Sequence, residues 1–131
     1  SLPCCHYSYQ FYVSNDGRLD MVWTQRSADL MVGVPSDIAF AAAWLIAIAN
    51  EFEYIPGKII MNFGDVHIYE GHVANAIVYA DRVSQQHKEV PVPPQYKYHA
   101  PLGKDFLQFE PKDIELTSYT HLGKLEFELY E

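Results

Sequence analysis

A chain of 131 residues that is 49% hydrophobic and 15% aromatic has enough apolar material for one packed domain, which excludes a disordered segment. Only nine lysines and arginines against a formal net charge of -8 exclude a broad nucleic-acid-binding surface, because neutralising a phosphate backbone needs clustered positive charge. One well-placed arginine can still hold a monophosphate.

Tyr7 to Val13 alternates aromatic and polar residues, Ser14-Asn15-Asp16-Gly17 is rich in turn formers, and Arg18 to Gln25 resumes the alternation with Leu19, Met21 and Trp23. This predicts a β-hairpin. Pro35, Ser36 and Asp37 supply helix-start chemistry. From Ile38 to Phe52 alanines and long aliphatics continue without a breaker, which predicts a central buried helix. Its most apolar run, Ile38 to Ile48, is about half the length needed to cross a bilayer, and neither a membrane span nor a secretory signal is predicted. Pro56-Gly57 predicts the end of that unit. Lys58 to Tyr69, rich in isoleucine, valine and aromatics, reads as a strand. Glu70 to Gln86 reads as an amphipathic helix with Val73, Ile77, Ala80 and Val83 on one face. In Val90-Pro91-Val92-Pro93-Pro94 the prolines predict an extended loop. Ile114 to Ser118 and Leu125 to Leu129 alternate as two further strands. The sum is an α+β domain without internal repeats.

Four segments hold the chemically telling residues: Leu2-Pro3-Cys4-Cys5-His6 with Gln10-Phe11-Tyr12-Val13; Gln25-Arg26-Ser27-Ala28-Asp29; Phe63-Gly64-Asp65-Val66-His67-Ile68-Tyr69; and Tyr119-Thr120-His121. A cysteine such as Cys5 serves either as a small buried hydrophobe or as a nucleophile. Arg26 and Ser27 offer a guanidinium fork and a hydroxyl, which suit phosphate oxygens or a surface ion pair. His67 and Tyr69 alternate on a strand and so share a face, where they can reach a sugar hydroxyl or simply pack. Adjacent Cys4 and Cys5 lack the geometry of a disulfide and the spacing of structural zinc ligands. Reduced, cytosolic thiols and no metal site are expected.

In their order, and over nearly the whole chain, these segments resemble the thymidylate synthase family. The resemblance implies a sheet that packs against its twin in a homodimer. It also implies a pyrimidine nucleoside monophosphate as substrate and 5,10-methylenetetrahydrofolate as one-carbon donor. Cys5 takes the place of the nucleophile, Arg26 and Ser27 of the phosphate site, and His67, Tyr69 and Tyr119 of the sugar site. Asp29 lies on the pyrimidine side, accepting from the base or supporting the loop, and Gln10 and Gly33 shape the site. Family members carry about as much sequence again before the nucleophile, so residues 1–131 are expected to be the carboxyl-terminal, nucleophile-containing part of a larger cytoplasmic enzyme, inactive alone. The other part would supply a proton-relaying glutamate and a folate-side aromatic residue, and a partner subunit would lend arginines to the phosphate. Two departures stand out. Tyr119 and His121 are one residue apart where the family has two between them, and Glu126-Phe127-Glu128-Leu129-Tyr130-Glu131 replaces a small apolar terminus.

Asp37, in Gly33-Val34-Pro35-Ser36-Asp37-Ile38-Ala39, occupies a position where the family normally has asparagine. Asparagine presents an acceptor and a donor, which match the ring N–H and exocyclic oxygen of uracil. Cytosine reverses that pattern: a carboxylate accepts from its exocyclic amine, and a protonated one also donates to its ring nitrogen. Buried mismatches of this kind cost on the order of a few kcal/mol. Within the family, aspartate here is associated with hydroxymethylation of dCMP or CMP. The structural alternative is that Asp37 caps a helix beginning at Ile38, but asparagine caps comparably well. The expected activity is dCMP hydroxymethylation. Its rivals are a thymidylate synthase, a dUMP hydroxymethylase, and a noncatalytic dimerisation or nucleotide-binding domain.

Overall fold

The computed structural model describes residues 3–86, 95–119 and 121–130; the proline-rich loop expected at 90–94 lies outside them, as does Thr120. Strands β1 (His6–Val13) and β2 (Arg18–Asp29) form the expected hairpin. They pair antiparallel, from His6 opposite Gln25 to Val13 opposite Leu19. On its other edge β2 pairs in parallel with β3 (Ile55–His67), so the sheet order is β1-β2-β3. Parallel neighbours require a crossover, and helix α1 (Gly33–Glu51) supplies it across one face of the sheet.

The core is the contact between that face and α1. Alternation along β2 turns Leu19, Met21 and Trp23 to one side, where they meet Ala41, Leu45 and Ala49, spaced by one helical turn. Tyr9, Trp44, Ile48, Ile59 and Met61 close the edges. The helix begins at Gly33 rather than near Ile38: Pro35 falls in the first turn, where a missing N–H breaks no helical bond. Asp37 is therefore not a cap; that place belongs to Val32, which has no side-chain cap bond. At 19 residues α1 is also longer than its most apolar run suggested, and its length and composition alone would suit a membrane span. Its packing against Met21 and Trp23 makes it the core helix of the sheet.

Pro56-Gly57 does not end a unit but lies inside β3, where the register with β2 shifts between Leu19 and Met21. A Cβ at Gly57 would come within 2.9 Å of the Leu19 carbonyl oxygen and collide with the Asp20 carboxylate. The Lys58 N–H donates to Asp20 Oδ1 at 2.6 Å. The glycine thus lets the strand bulge rather than break.

After β3 a short 3-10 turn (Glu70–His72) leads into helix α2 (Val73–Gln86). The chain then forms β4 (Gln95–Tyr98), which the sequence pattern did not reveal, paired antiparallel with β5 (Ile114–Thr117). The strand expected at Leu125–Leu129 does not form. That segment is irregular and is bound by side chains: His72 Nε2 donates to the Glu128 carbonyl (2.7 Å), Asn75 Nδ2 to that of Glu126 (2.7 Å), and Arg82 Nη1 to that of Gly123 (2.8 Å). These donors satisfy carbonyls that a neighbouring strand would otherwise pair.

Candidate functional site

One end of β2 gathers the nucleophile and sugar segments on its two flanks. The Arg26 N–H donates to the Cys5 carbonyl at 2.9 Å, and Arg26 Nη2 donates to the Pro3 carbonyl at 2.6 Å. The exposed guanidinium therefore lies along the nucleophile segment. Across the other flank a Cβ on Gly64 would stand 2.6 Å from the Arg26 carbonyl oxygen, so β3 approaches this closely only because the residue is glycine. Farther along, Ser27 pairs with Asp65 and Asp29 with His67. Asp29 Oδ1 accepts from the Met31 N–H at 3.1 Å, the loop-supporting bond among its two expected roles. Gly33 sits against it, the position of its missing Cβ being 3.5 Å from Asp29 Cβ.

Asp37 enters a hydrogen-bonded chain that starts in the core. Trp23 Nε1–H donates to Gln25 Oε1 at 2.8 Å, and Gln25 Nε2 donates to Asp37 Oδ2 at 2.9 Å and to the Ser27 carbonyl at 3.3 Å. Trp23 and Gln25 are fully buried. Nearby, the Tyr9 hydroxyl is hydrogen-bonded to His6 Nδ1, and Cys4 Sγ lies 3.3 Å from His6 Nε2. Burial, then the negative charges of Cys4 and Asp37, hold the Tyr9 phenol above its ordinary value. Cys4 is exposed, Cys5 is half-buried, and both thiols are free.

His67 and Tyr69 come together, although not on one strand face: β3 ends at His67 and Tyr69 precedes the 3-10 turn. Their rings meet edge to face at 5.0 Å. His67 Nδ1 is shielded from solvent and has no hydrogen-bond partner among the described residues. Asp65 Oδ2, at 3.5 Å, is within ion-pair range but beyond normal hydrogen-bond length.

Two expected residues stand apart. Gln10 is exposed opposite Val22, and because Tyr9 packs on Trp23 and both Tyr9 and Phe11 on Trp44, Gln10 faces the side of the sheet away from α1. Tyr119 lies against His121 (5.6 Å) and lines a cavity of about 440 Å³ with Tyr79 and Arg82. The aromatic ring that the carboxyl-terminal segment brings to Tyr69 is instead Tyr130, at 4.9 Å, its hydroxyl lying against Gly71. No local pattern marks Tyr130. Gln25 did carry a signal, being a polar residue at a core-facing position after Leu19, Met21 and Trp23.

A larger cavity, about 780 Å³, opens between the loop before α1 (Met31, Val32), its first turn (Ser36) and the carboxyl-terminal segment (Leu125, Phe127, Tyr130). It adjoins Gly33 and Asp29 through the Met31–Val32 loop.

The thymidylate synthase family model matches residues 1–130. A "probable thymidylate synthase" of Escherichia phage T5 is 42% identical over 93 residues, which cover 71% of this chain and 31% of the phage protein. The thymidylate synthase of Cereibacter sphaeroides (strain ATCC 17025 / ATH 2.4.3) is 41% identical over 76 residues, 58% of this chain and 26% of that protein. Among solved structures, thermostable thymidylate synthase A from Bacillus subtilis superposes with a TM-score of 0.79 at 31% identity, covering 95% of this chain and 42% of the other. The chain thus spans less than half the length of each of these relatives. With a match along residues 1–130 and the same fold, the chain belongs to the thymidylate synthase family.

Proposed function

We propose that this chain is the carboxyl-terminal, nucleophile-bearing part of a pyrimidine nucleotide hydroxymethylase that acts on dCMP. The observation that carries the reading is the position of Asp37: inside α1, accepting from Gln25, and free of any capping duty. A carboxylate so placed suits the exocyclic amine of cytosine better than the exocyclic oxygen of uracil.

Cys5 serves as the nucleophile. Its thiolate adds to carbon 6 of the pyrimidine, which makes carbon 5 electron-rich enough to bond the one-carbon unit; carbon 5 then gives up its proton in exchange for that new bond, and departure of the thiolate restores the ring. Arg26 and Ser27 hold the phosphate. The partly exposed His67 ring, edge to face with Tyr69, suits a sugar hydroxyl. Asp29 and Gly33 border the pyrimidine. The 780 Å³ cavity has the size of a small-molecule site and both apolar and polar walls, and Met31, Val32, Ser36 and Phe127 would hold 5,10-methylenetetrahydrofolate there. When bound, it supplies the one-carbon unit. Glu126 and Glu128 in the cavity wall suit a site that admits water, the reactant that completes a hydroxymethyl group. The sheet face away from α1, with Tyr12 and Ile60 exposed, fits a second copy in a cytoplasmic homodimer.

Tritium release from carbon 5 of labelled dCMP and dUMP, with the full-length protein and methylenetetrahydrofolate, tests the reading. Faster release from dCMP supports it. Faster release from dUMP overturns it in favour of a thymidylate synthase or dUMP hydroxymethylase, the reading that the names of the relatives favour. Release from neither favours a noncatalytic nucleotide-binding domain, which covalent capture of Cys5 by a 5-fluoropyrimidine nucleotide would rule out.

A further inference from the structure

We infer that Gln25, locked by the indole of Trp23, is the positioning residue that turns the side chain at position 37 into a selector between cytosine and uracil. The inference rests on the reading of Asp37 as the residue that faces the base.

An amide side chain can ordinarily exchange its oxygen and nitrogen by a half-turn, presenting a donor or an acceptor at will. Gln25 cannot. The indole N–H of Trp23 is a donor with no acceptor capacity, so at 2.8 Å it requires the Gln25 oxygen. That leaves two amide hydrogens, one directed to Asp37 Oδ2 and the other to the Ser27 carbonyl. A half-turn would set the amide nitrogen against the indole N–H and the amide oxygen against two further oxygens. At 2% exposure Gln25 has no water to repair those mismatches.

A fixed donor at Gln25 therefore claims one oxygen of whatever stands at position 37. For aspartate the atom left over is a second oxygen, Oδ1, an acceptor matched to the cytosine amine. For asparagine the same bond turns its only oxygen toward Gln25, with a second lone pair left for the ring N–H, and leaves its NH2 group presented, a donor matched to the exocyclic oxygen of uracil. One exchange at position 37 inverts the presented group because Gln25 does not turn. If Gln25 could turn, asparagine at 37 could follow it and present either group, and the exchange would discriminate weakly.

The test compares kcat/KM for dCMP and dUMP, by tritium release, in the full-length protein and in Asp37→Asn, Gln25→Met, Trp23→Phe and the double variants. Asp37→Asn is expected to shift the dCMP/dUMP ratio toward dUMP by about 100-fold. With Gln25→Met or Trp23→Phe in place, the same exchange is expected to shift the ratio by less than about 10-fold. A shift of equal size in all three backgrounds overturns the inference. So does a Gln25→Met variant that loses activity on both nucleotides by one factor, the mark of a merely structural residue. If Gln25→Met does not fold, Trp23→Phe, which removes the N–H donor and keeps an aromatic ring at the cost of some core volume, gives the same comparison. An unchanged ratio in Asp37→Asn alone also overturns it. A wild type that prefers dUMP overturns the dCMP reading by itself, and the background dependence of the Asp37→Asn shift still decides the role of Gln25. Release from neither nucleotide overturns both.

Discussion

Helices α1 and α2 relate to their surroundings in opposite ways. α1 is apolar nearly all round, yet Ala41, Leu45 and Ala49 are buried against the sheet. α2 has the cleaner amphipathic pattern, yet Val73 is 46% and Ile77 59% exposed. It meets the carboxyl-terminal backbone through the polar side chains of Asn75 and Arg82, next to His72 of the preceding 3-10 turn. Periodicity signals that a helix has an apolar face; it does not locate the surface that covers it. For α1 that surface is β2, joined to it by a three-residue loop. For α2 the described residues contain no equivalent.

Substitutions on the two helices can break this contrast. Leu45→Ala, at a position 2% exposed, is expected to cost about 2–5 kcal/mol in denaturant unfolding, from lost burial and the cavity left behind. An intermediate effect belongs to the sheet that α1 covers: Gly64→Ala forces a methyl group onto the Arg26 carbonyl, at an expected cost of about 1–3 kcal/mol. On the proposed function, the same variant in the full-length protein is expected to weaken nucleotide binding by calorimetry, and unchanged affinity would count against Arg26 as the phosphate residue.

Away from both helices, the β4–β5 unit offers a pH test. The hydrogen bond from Lys104, then that from the Glu110 N–H, holds the Asp113 carboxyl below the usual aspartate range. The folded state thus binds the proton less readily than the unfolded one. Its contribution to stability is complete above the unfolded value of about 3.9 and is lost as pH falls through the lower folded value. Asp113→Asn is expected to flatten the pH dependence of stability below about pH 4; an acid limb unchanged from wild type would rule that contribution out. The smallest effect sharpens the comparison most. Ile77→Ala removes an exposed side chain and should alter stability by no more than about 0.5 kcal/mol. A cost approaching that of Leu45→Ala would mean that the apolar face of α2 is covered in the full-length protein.

Local pattern was enough for the hairpin and α2, whose apolar residues repeat at the period of their backbone, and apolar composition was enough for the central helix and β3. Breakers were the weak point. Pro35 sits harmlessly in a first helical turn, and Pro56-Gly57 makes a bulge, since a neighbouring strand can hold a distorted segment that would end an isolated one. Alternation at Leu125–Leu129 suggested a strand, but side chains of α2 claimed its carbonyls before any ladder could. β4 and β5 pair across a long stretch of sequence, and four residues are too few for alternation to identify β4.

The site divides along the same line. Residue type and spacing in ordered motifs were enough to nominate Cys5, Arg26, Ser27, Asp29, Asp37, His67 and Tyr69 as candidates. The placement of Gln10 on the far side of the sheet and of Tyr119 beside another cavity was not legible, nor was Tyr130 against Tyr69, since each depends on contacts between distant parts of the chain.

By itself the sequence determined the hairpin, the two helices and β3, the α+β class, and a family resemblance that the comparisons bear out. It also determined that an aspartate stands where asparagine is usual. Only the tertiary structure decided what that aspartate touches. Hydrogen-bond direction is a property of a packed arrangement: the buried indole of Trp23 leaves Gln25 a single orientation, and Gln25 leaves Asp37 a single free oxygen. Residue identity supplied the donors and acceptors, and burial removed the water that would have let them exchange partners.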